Sequence, residues 1–162
     1  MSHVRYIDKT REYYQGEGYE KPYRWAHFDD IPFTPLARPL SECRVGLITT
    51  SEMAIRDAPL PVDDDDPLRN PYWLPSDTPV ETLYSRKTAY DHYATTLDDV
   101  DSHLPLTRLR ELAAEGRIGS LAPRFQMAFS QYSQRKTLKV DAPMILGWLR
   151  EDRVDVAVLT AV

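Results

Sequence analysis

The chain has 162 residues, of which 42% are hydrophobic and 28% charged, so it is long and apolar enough to fold as one domain with a modest core. Its formal net charge is −5 and no block of lysine or arginine stands out, which argues against a nucleic-acid partner. No apolar run approaches the ~20 residues that span a membrane, and the polar residues 1–10 are unlike a secretory signal. The sequence therefore predicts a cytoplasmic protein that binds neither membrane nor nucleic acid.

Residues 1–40 are predicted to form an extended, proline-rich N-terminal arm. The chain has thirteen prolines and six glycines, and most of the prolines fall between Pro22 and Pro79, where they disfavour long helices. A short helix is predicted over residues 4–15. The preferred interpretation of the arm's aromatic side chains is packing on the core, with a pocket or partner contact as the alternative: Tyr23, Trp25, His27 and Phe28.

The remaining residues, 41–162, are predicted to form an α/β domain. Residues 44–50 (RVGLITT) are typical of a buried parallel strand, and Cys43, the only cysteine, is interpreted as a small buried hydrophobe before it. A lone cysteine excludes a disulfide within the chain and favours a reducing compartment. Residues 56–80 are predicted to be a surface loop whose aspartates, at 63–66, are solvated, because EF-hand spacing is missing.

Three helices are predicted in the second half of the chain. A weak helical pattern covers residues 81–97, and a clear apolar stripe covers residues 105–115, which Gly116 is placed to end. Another helix is predicted over residues 141–152 with Asp141 as its N-cap. Its predicted buried face consists of Met144, Ile145, Trp148 and Leu149.

The strongest strand signal covers residues 154–162 (VDVAVLTAV), and a weaker one covers residues 123–129. Helices that alternate with apolar strands are typical of α/β proteins, so the predicted fold is a small, mostly parallel sheet flanked by helices in a three-layer, Rossmann-like arrangement. A parallel strand needs cover on both faces. We therefore expect the domain to be incomplete or to be completed by another chain, with a C-terminal edge strand in a small complete domain as the alternative.

Four stretches of the sequence are similar to one protein family. They are YEKPYRWAHFDDIPFTPL (19–36), PFTPLARPLSECRVGLITT (32–50), AYDHYATTLDDVDSHLPLTRLRELAAEGRIGSLAPR (89–124) and DRVDVAVLTAV (152–162). The third has a Pro-Leu pair and an Arg-Leu helix ending in Gly-x-Ile-Gly, and the last looks like a strand that precedes a selenocysteine or cysteine motif. Together they resemble the substrate-binding B components (selenoprotein B) of the glycine, sarcosine, betaine and D-proline reductases.

The resemblance implies an oxidoreductase component that binds a small amine and supports thiol- or selenol-dependent reductive cleavage of a C–N bond. In enzyme terms it acts on X–H and Y–H to form an X–Y bond, with a disulfide as acceptor. It implies no cofactor within the chain, a selenocysteine or cysteine beyond Val162, and a pyruvoyl group on a partner subunit. A UGA codon read as a stop would end the sequence at this position. The expected partners are the amine substrate and other reductase subunits or a second copy of the chain.

Candidate catalytic residues lie in the polar stretch before the 105–115 helix. Asp99, Asp101 and His92 carry groups that can move a proton for a leaving amine or bind its ammonium, and the resemblance strengthens the case for the two aspartates. His103 belongs to the same stretch. Caps and a solvated loop are the alternative, and the spacing does not support a metal site.

Candidate substrate-binding residues follow the predicted strands. Thr49, Thr50 and Ser51 can bind a carboxylate through hydroxyls and backbone N–H groups, with ordinary strand-end positions as the alternative. Thr160 occupies the last strand, and Arg124 can pair with a carboxylate or lie on the surface. Two other functions remain open: a non-catalytic assembly subunit whose sheet edge docks a partner chain, and an unrelated α/β domain that binds a small acid.

Overall fold

The computed structural model describes residues 5–22, 28–31, 34–63, 69–88, 90–129 and 133–162. The chain divides into two compact units, Met1–Phe33 and Thr34–Val162. The first unit contains helix α1 (Tyr6–Gly16), so the short helix predicted over residues 4–15 is confirmed. Some predictions fall outside the described residues: those for Tyr23, Trp25 and His27, and those for the aspartates at 64–66.

The second unit is built on a mostly parallel sheet with β1 (Arg44–Thr49) at its centre. β1 pairs in parallel with β5, β6 and β7, and β3 pairs antiparallel with β6. These four strands are β3 (Tyr72–Pro75), β5 (Ser120–Leu121), β6 (Arg124–Met127) and β7 (Val156–Thr160). A separate antiparallel pair consists of β2 (Met53–Ile55) and β4 (Leu83–Ser85). The predicted α/β class is confirmed, as are the strands placed at 44–50, 123–129 and 154–162.

A strand has two edges, and the partners of β1 divide between them. β5 pairs with the start of β1 and β6 with its end, whereas β7 pairs along the whole of residues 45–49. β5 and β6 therefore share one edge of β1, and β7 takes the other.

Each face of the sheet is covered by a different helix. Leu106 and Leu109 of α2 (Leu106–Ala114) belong to the main core with Val45 and Leu47 of β1. On the opposite face, Gly46 lies under Leu149 of α4: a Cβ built at Gly46 would meet Leu149 Cδ2 at 2.8 Å. Helices on both sides of the sheet confirm the three-layer arrangement.

Two of the three helices predicted in the domain are present, and they differ in how well the sequence located them. α2 ends before Gly116, whose φ of +69° suits glycine, as predicted. The second helix begins earlier than predicted. It runs from α3 (Gln134–Lys136) through a π-helical stretch (Thr137–Asp141) into α4 (Ala142–Glu151), and the Ser133 hydroxyl caps it by accepting from Lys136 N.

Asp141 was therefore wrongly predicted as an N-cap. Its side chain makes no capping hydrogen bond and instead contacts the Lys136 ammonium in a buried ion pair. The predicted buried face of α4 is only partly correct, since Ile145 is buried while Met144, Trp148 and Leu149 are half-buried.

Two predictions for residues 56–97 are wrong. The predicted loop 56–80 contains β3, where Tyr72 and Leu74 are buried and their neighbours exposed, an alternation hidden from the sequence by the flanking prolines. The predicted helix 81–97 is absent from the described residues there, which form a 3₁₀ turn (Val80–Thr82), then β4 and a bonded turn. Cys43 is fully buried before β1, as predicted.

Among the described residues, none of the helices combines the length and the apolar character that crossing a membrane requires.

Candidate functional site

The order of connections places a candidate site at the carboxyl ends of β1 and β7. From β1 the chain crosses through α2 to β6 on one side, then returns through α4 to β7 on the other side. The strand order therefore reverses at β1, and open α/β sheets bind ligands outside the carboxyl ends of the strands at such a topological switch point. In this sheet that position adjoins residues 49–51 and 160–162.

A buried histidine joins these two strand ends. His103 is only 4% exposed, and its backbone carbonyl accepts a hydrogen bond from Thr160 Oγ1 at 2.7 Å and lies 3.2 Å from Thr49 Oγ1. Its imidazole Nδ1 lies 3.0 Å from Ser51 Oγ, which in turn lies 2.5 Å from Thr49 Oγ1. The structure therefore brings three predicted substrate-binding residues together around a histidine.

The fourth predicted residue of this group, Thr50, holds the chain as it leaves β7. Thr50 N donates to the Thr160 carbonyl at 3.2 Å, and the Thr50 hydroxyl accepts from Val162 N at 3.1 Å. The backbone after β7 is thus held directly beside the turn after β1.

The environment of His103 favours a neutral imidazole. Burial lowers the pKa of His103 below its ordinary value of 6.5, and a hydrogen bond to the Leu97 carbonyl with the nearby charge of Asp99 opposes the shift only in part. With the ring proton on Nε2, Ser51 donates to Nδ1 and Thr49 donates to Ser51. With a proton on Nδ1 each of these bonds reverses, and Thr49 donates to the His103 carbonyl. The hydrogen-bonded row of His103, Ser51 and Thr49 can therefore hold one proton or pass it along.

The predicted catalytic aspartates lie close to this row but have structural roles in the described contacts. Asp99 is exposed and accepts from Asp101 N at 3.1 Å, and Asp101 caps α2 by accepting from Thr107 N at 2.8 Å. His92 is not brought to the strand ends. It is exposed, contacts the Thr88 carbonyl at 2.9 Å, and its ring lies 3.9 Å from that of Tyr90.

Arg124 lies at the opposite, amino edge of the parallel strands, where β6 begins. Its Nε donates to Asp152 at 2.8 Å and its Nη2 to Glu151 at 2.6 Å, and its guanidinium lies over the Trp73 ring. The Asp152 hydrogen bond is the main cause of its raised pKa. The structure thus separates Arg124 from the other candidates and uses its charge to tie β6 to the end of α4.

Sequence reasoning placed His103 in a polar stretch without selecting it. The available signal was its position directly before the apolar Leu104 and Leu106, both of which are fully buried. A histidine at the start of such a segment is drawn into the core with it, whereas His92 lies between Asp91 and the fully exposed Tyr93.

Comparison with known proteins agrees with the resemblance seen in the sequence. The model of the glycine/sarcosine/betaine reductase selenoprotein B family matches residues 2–162. The glycine reductase complex component B subunit gamma of Symbiobacterium thermophilum is 26% identical over 149 residues, which cover 91% of this chain and 35% of that subunit. The chain thus spans about a third of the length of this curated relative. No solved structure matches the chain.

The family match extends over both units and includes the strands and helix that form the crevice. It confirms the family expected from the four similar stretches. The chain therefore belongs to the glycine/sarcosine/betaine reductase selenoprotein B family.

Proposed function

We propose that this chain is part of a substrate-binding component of a glycine-reductase-type complex, and that a small amine is cleaved in the crevice at the ends of β1 and β7. The observation that carries the proposal is the convergence of Thr49, Ser51 and Thr160 on the buried His103 at the switch point of the sheet. Family membership supplies the reaction type, and the geometry supports its location.

The crevice residues have complementary tasks in this proposal. Backbone N–H groups and hydroxyls of the turn after β1 bind the carboxylate of a glycine, sarcosine, betaine or proline type of substrate, with Thr50 and Ser51 nearest. Cleavage of a C–N bond leaves an amine that requires a proton unless it departs as a tertiary amine. In its charged form His103 passes that proton through Ser51 and returns to the neutral imidazole that burial favours, in place of the role predicted for His92.

The attacking group lies outside the 162 residues in this proposal. A selenocysteine or cysteine would supply the electron pair that displaces the nitrogen, because its selenolate or thiolate form is ionised near neutral pH. The residues present fit such a group, since the bond from Val162 N to Thr50 Oγ1 holds the backbone beside Ser51 and His103. A pyruvoyl group on a separate subunit, also implied by the family, would hold the amine.

Purification of the native assembly from its source cells tests the proposal. Glycine, sarcosine, betaine and D-proline are supplied one at a time with a dithiol reductant, and release of the amine or the ring-opened product is measured. With glycine, sarcosine or D-proline, whose leaving nitrogen requires a proton, Ser51→Ala is expected to lower kcat by about a hundredfold, because it interrupts the path from His103.

The matched control is Thr82→Val, which removes a surface hydroxyl bonded to the Pro79 carbonyl. This variant is expected to keep its activity. Full activity of Ser51→Ala, or no turnover of any of the four substrates by the native assembly, would contradict the proposal.

A further inference from the structure

The two edge strands of the sheet differ in how they are protected against pairing. Among the described residues, β3 and β7 each pair on one side only. β3 is flanked by Pro71 and contains Pro75, and proline cannot donate to another strand. The β7 segment 156–159 reads Val-Ala-Val-Leu, without a charge or proline, which are the usual means by which edges avoid further pairing. β7 therefore has the composition of an interior strand.

The outer side of β7 also has uncovered apolar surface. Leu159 is 72% exposed, although the residue beside it on the same face, Ile48 of β1, is buried. Leu146 of α4, the helix that covers this face, is also exposed. Among the described residues, no segment covers the side chain of Leu159 on this face.

A cavity of about 390 Å³ marks the free edge itself. Its lining includes residues 34–38 together with Val156 and Ala157. Successive residues of a strand point to opposite faces, so a cavity that both of them line lies at the strand's edge. The groove between residues 34–38 and the start of β7 gives space for another segment of polypeptide.

The handedness of crossovers fixes how a further strand would arrive. The step from β6 to β7 is made through α4, on the face that carries Gly46 and Leu159. Crossovers between parallel strands are right-handed, so a further step in the same direction places its helix on the same face. That helix would cover Leu159, which is exposed on that face.

We propose that β7 is an interior strand of the assembled protein, with a further parallel strand along its free edge and a helix over Leu159. The occupant is polypeptide that corresponds to the roughly two thirds of the Symbiobacterium subunit outside the matched region, of which this chain covers 35%. The inference concerns assembly and holds whether or not the crevice binds an amine.

Amide hydrogen exchange tests the proposal with controls inside the strand. Thr50 N donates to the Thr160 carbonyl, so the backbone groups of Thr160 face β1. By alternation along the strand, the backbone groups of Val158 and Val156 face β1 as well. The amides of Ala157 and Leu159 face the free edge. In the isolated 162-residue chain we expect slow exchange at Val156 and Val158 and fast exchange at Ala157 and Leu159. In the native assembly purified from cells, Ala157 and Leu159 should become protected as well.

A pair of variants tests the helix over β7. Leu159→Lys should leave the Ala157 amide in fast exchange in the native assembly, because a charge there opposes docking of the helix, whereas Tyr93→Lys, at a fully exposed aromatic in a surface turn, should leave Ala157 protected. Circular dichroism confirms that both variants fold. Fast exchange of Ala157 and Leu159 in the native assembly, or their protection already in the isolated chain, would overturn the proposal. If the native assembly shows the expected protection of Ala157 and Leu159 but cleaves none of the four amines, that result would count against the proposed function alone.

Discussion

The imidazole Nδ1 of His103 lies 3.0 Å from the hydroxyl of Ser51, a residue 52 positions earlier in the chain. Ser51 lies two residues after the end of β1, and His103 lies at the end of the turn that leads into α2. Their contact ties the loop after the central strand to the segment before the core helix. Both side chains are buried, so the bond is formed where water competes little for either group.

Replacing His103 with glutamine is expected to change how stability depends on pH. Because burial lowers the pKa of His103 below the 6.5 of an unfolded chain, the unfolded state takes up the proton first as pH falls. The free energy of unfolding of the unmodified chain should therefore decrease as pH drops through about 6.5 and level off below the folded pKa, and His103→Gln should lack that decrease. Thermal unfolding at pH 7.5 and pH 5.5 measures it.

The matched control for this experiment is His92→Gln, which alters an exposed imidazole. It should keep the pH dependence of the unmodified chain. An identical decrease in both variants would show that His103 is not the group responsible.

Thr160→Val is expected to lower the free energy of unfolding by about 1 kcal/mol. The change keeps the shape of the side chain but removes the donor to the His103 carbonyl, which keeps only the longer bond from Thr49. Thr160→Ser retains the hydroxyl and should recover most of the loss. Urea denaturation measures both, and a valine variant as stable as the unmodified chain would contradict the predicted role of this bond.

Substitutions at Asp101 separate a capping role from a catalytic one. Asp101→Ala should cost about 1 kcal/mol of stability because Thr107 N loses its acceptor, whereas Asp101→Asn keeps an acceptor oxygen and should cost less. The asparagine variant of the native assembly should retain amine-cleaving activity if the carboxylate only caps α2. Its inactivity with normal stability would instead support the catalytic role predicted from the sequence.

Two glycines test the packing of α4 on the sheet. Gly46→Ala should destabilise the fold by about 1–3 kcal/mol, because the new Cβ would lie 2.8 Å from Leu149 Cδ2 and 3.1 Å from Val154 Cγ1. Gly147→Ala lies within α4 and meets nothing within 4 Å, so it should stabilise the chain by about 0.5–1 kcal/mol. Opposite signs in chemical denaturation are expected, and destabilisation by Gly147→Ala would show that this part of α4 is covered.

Continuous apolar runs were sufficient to locate β1 and β7. β1 and β7 are rich in β-branched residues, and α2 ends at a glycine with left-handed backbone, so local chemistry and tertiary packing agree. β3 could not be found this way. Its four residues end in proline and become a strand only because Tyr72 and Leu74 pack beside β6. Tertiary contacts decide such short segments.

The sequence predicted the part of the candidate site that lies at the ends of the strands. Thr49, Thr50 and Ser51 were selected because they follow a strand, and the structure places them together with Thr160. The position of Arg124 depends on strand direction and on the acidic end of α4, neither of which a linear motif reveals.

The central claim is that the reacting amine lies at the carboxyl ends of β1 and β7. The most direct measurement is a crystal structure of the native assembly with betaine bound. We expect betaine to lie in the crevice bounded by Thr50, Ser51 and Thr160, with its carboxylate on the turn after β1. A ligand at the amino edge of the strands, beside Arg44 and Asp155, would contradict it.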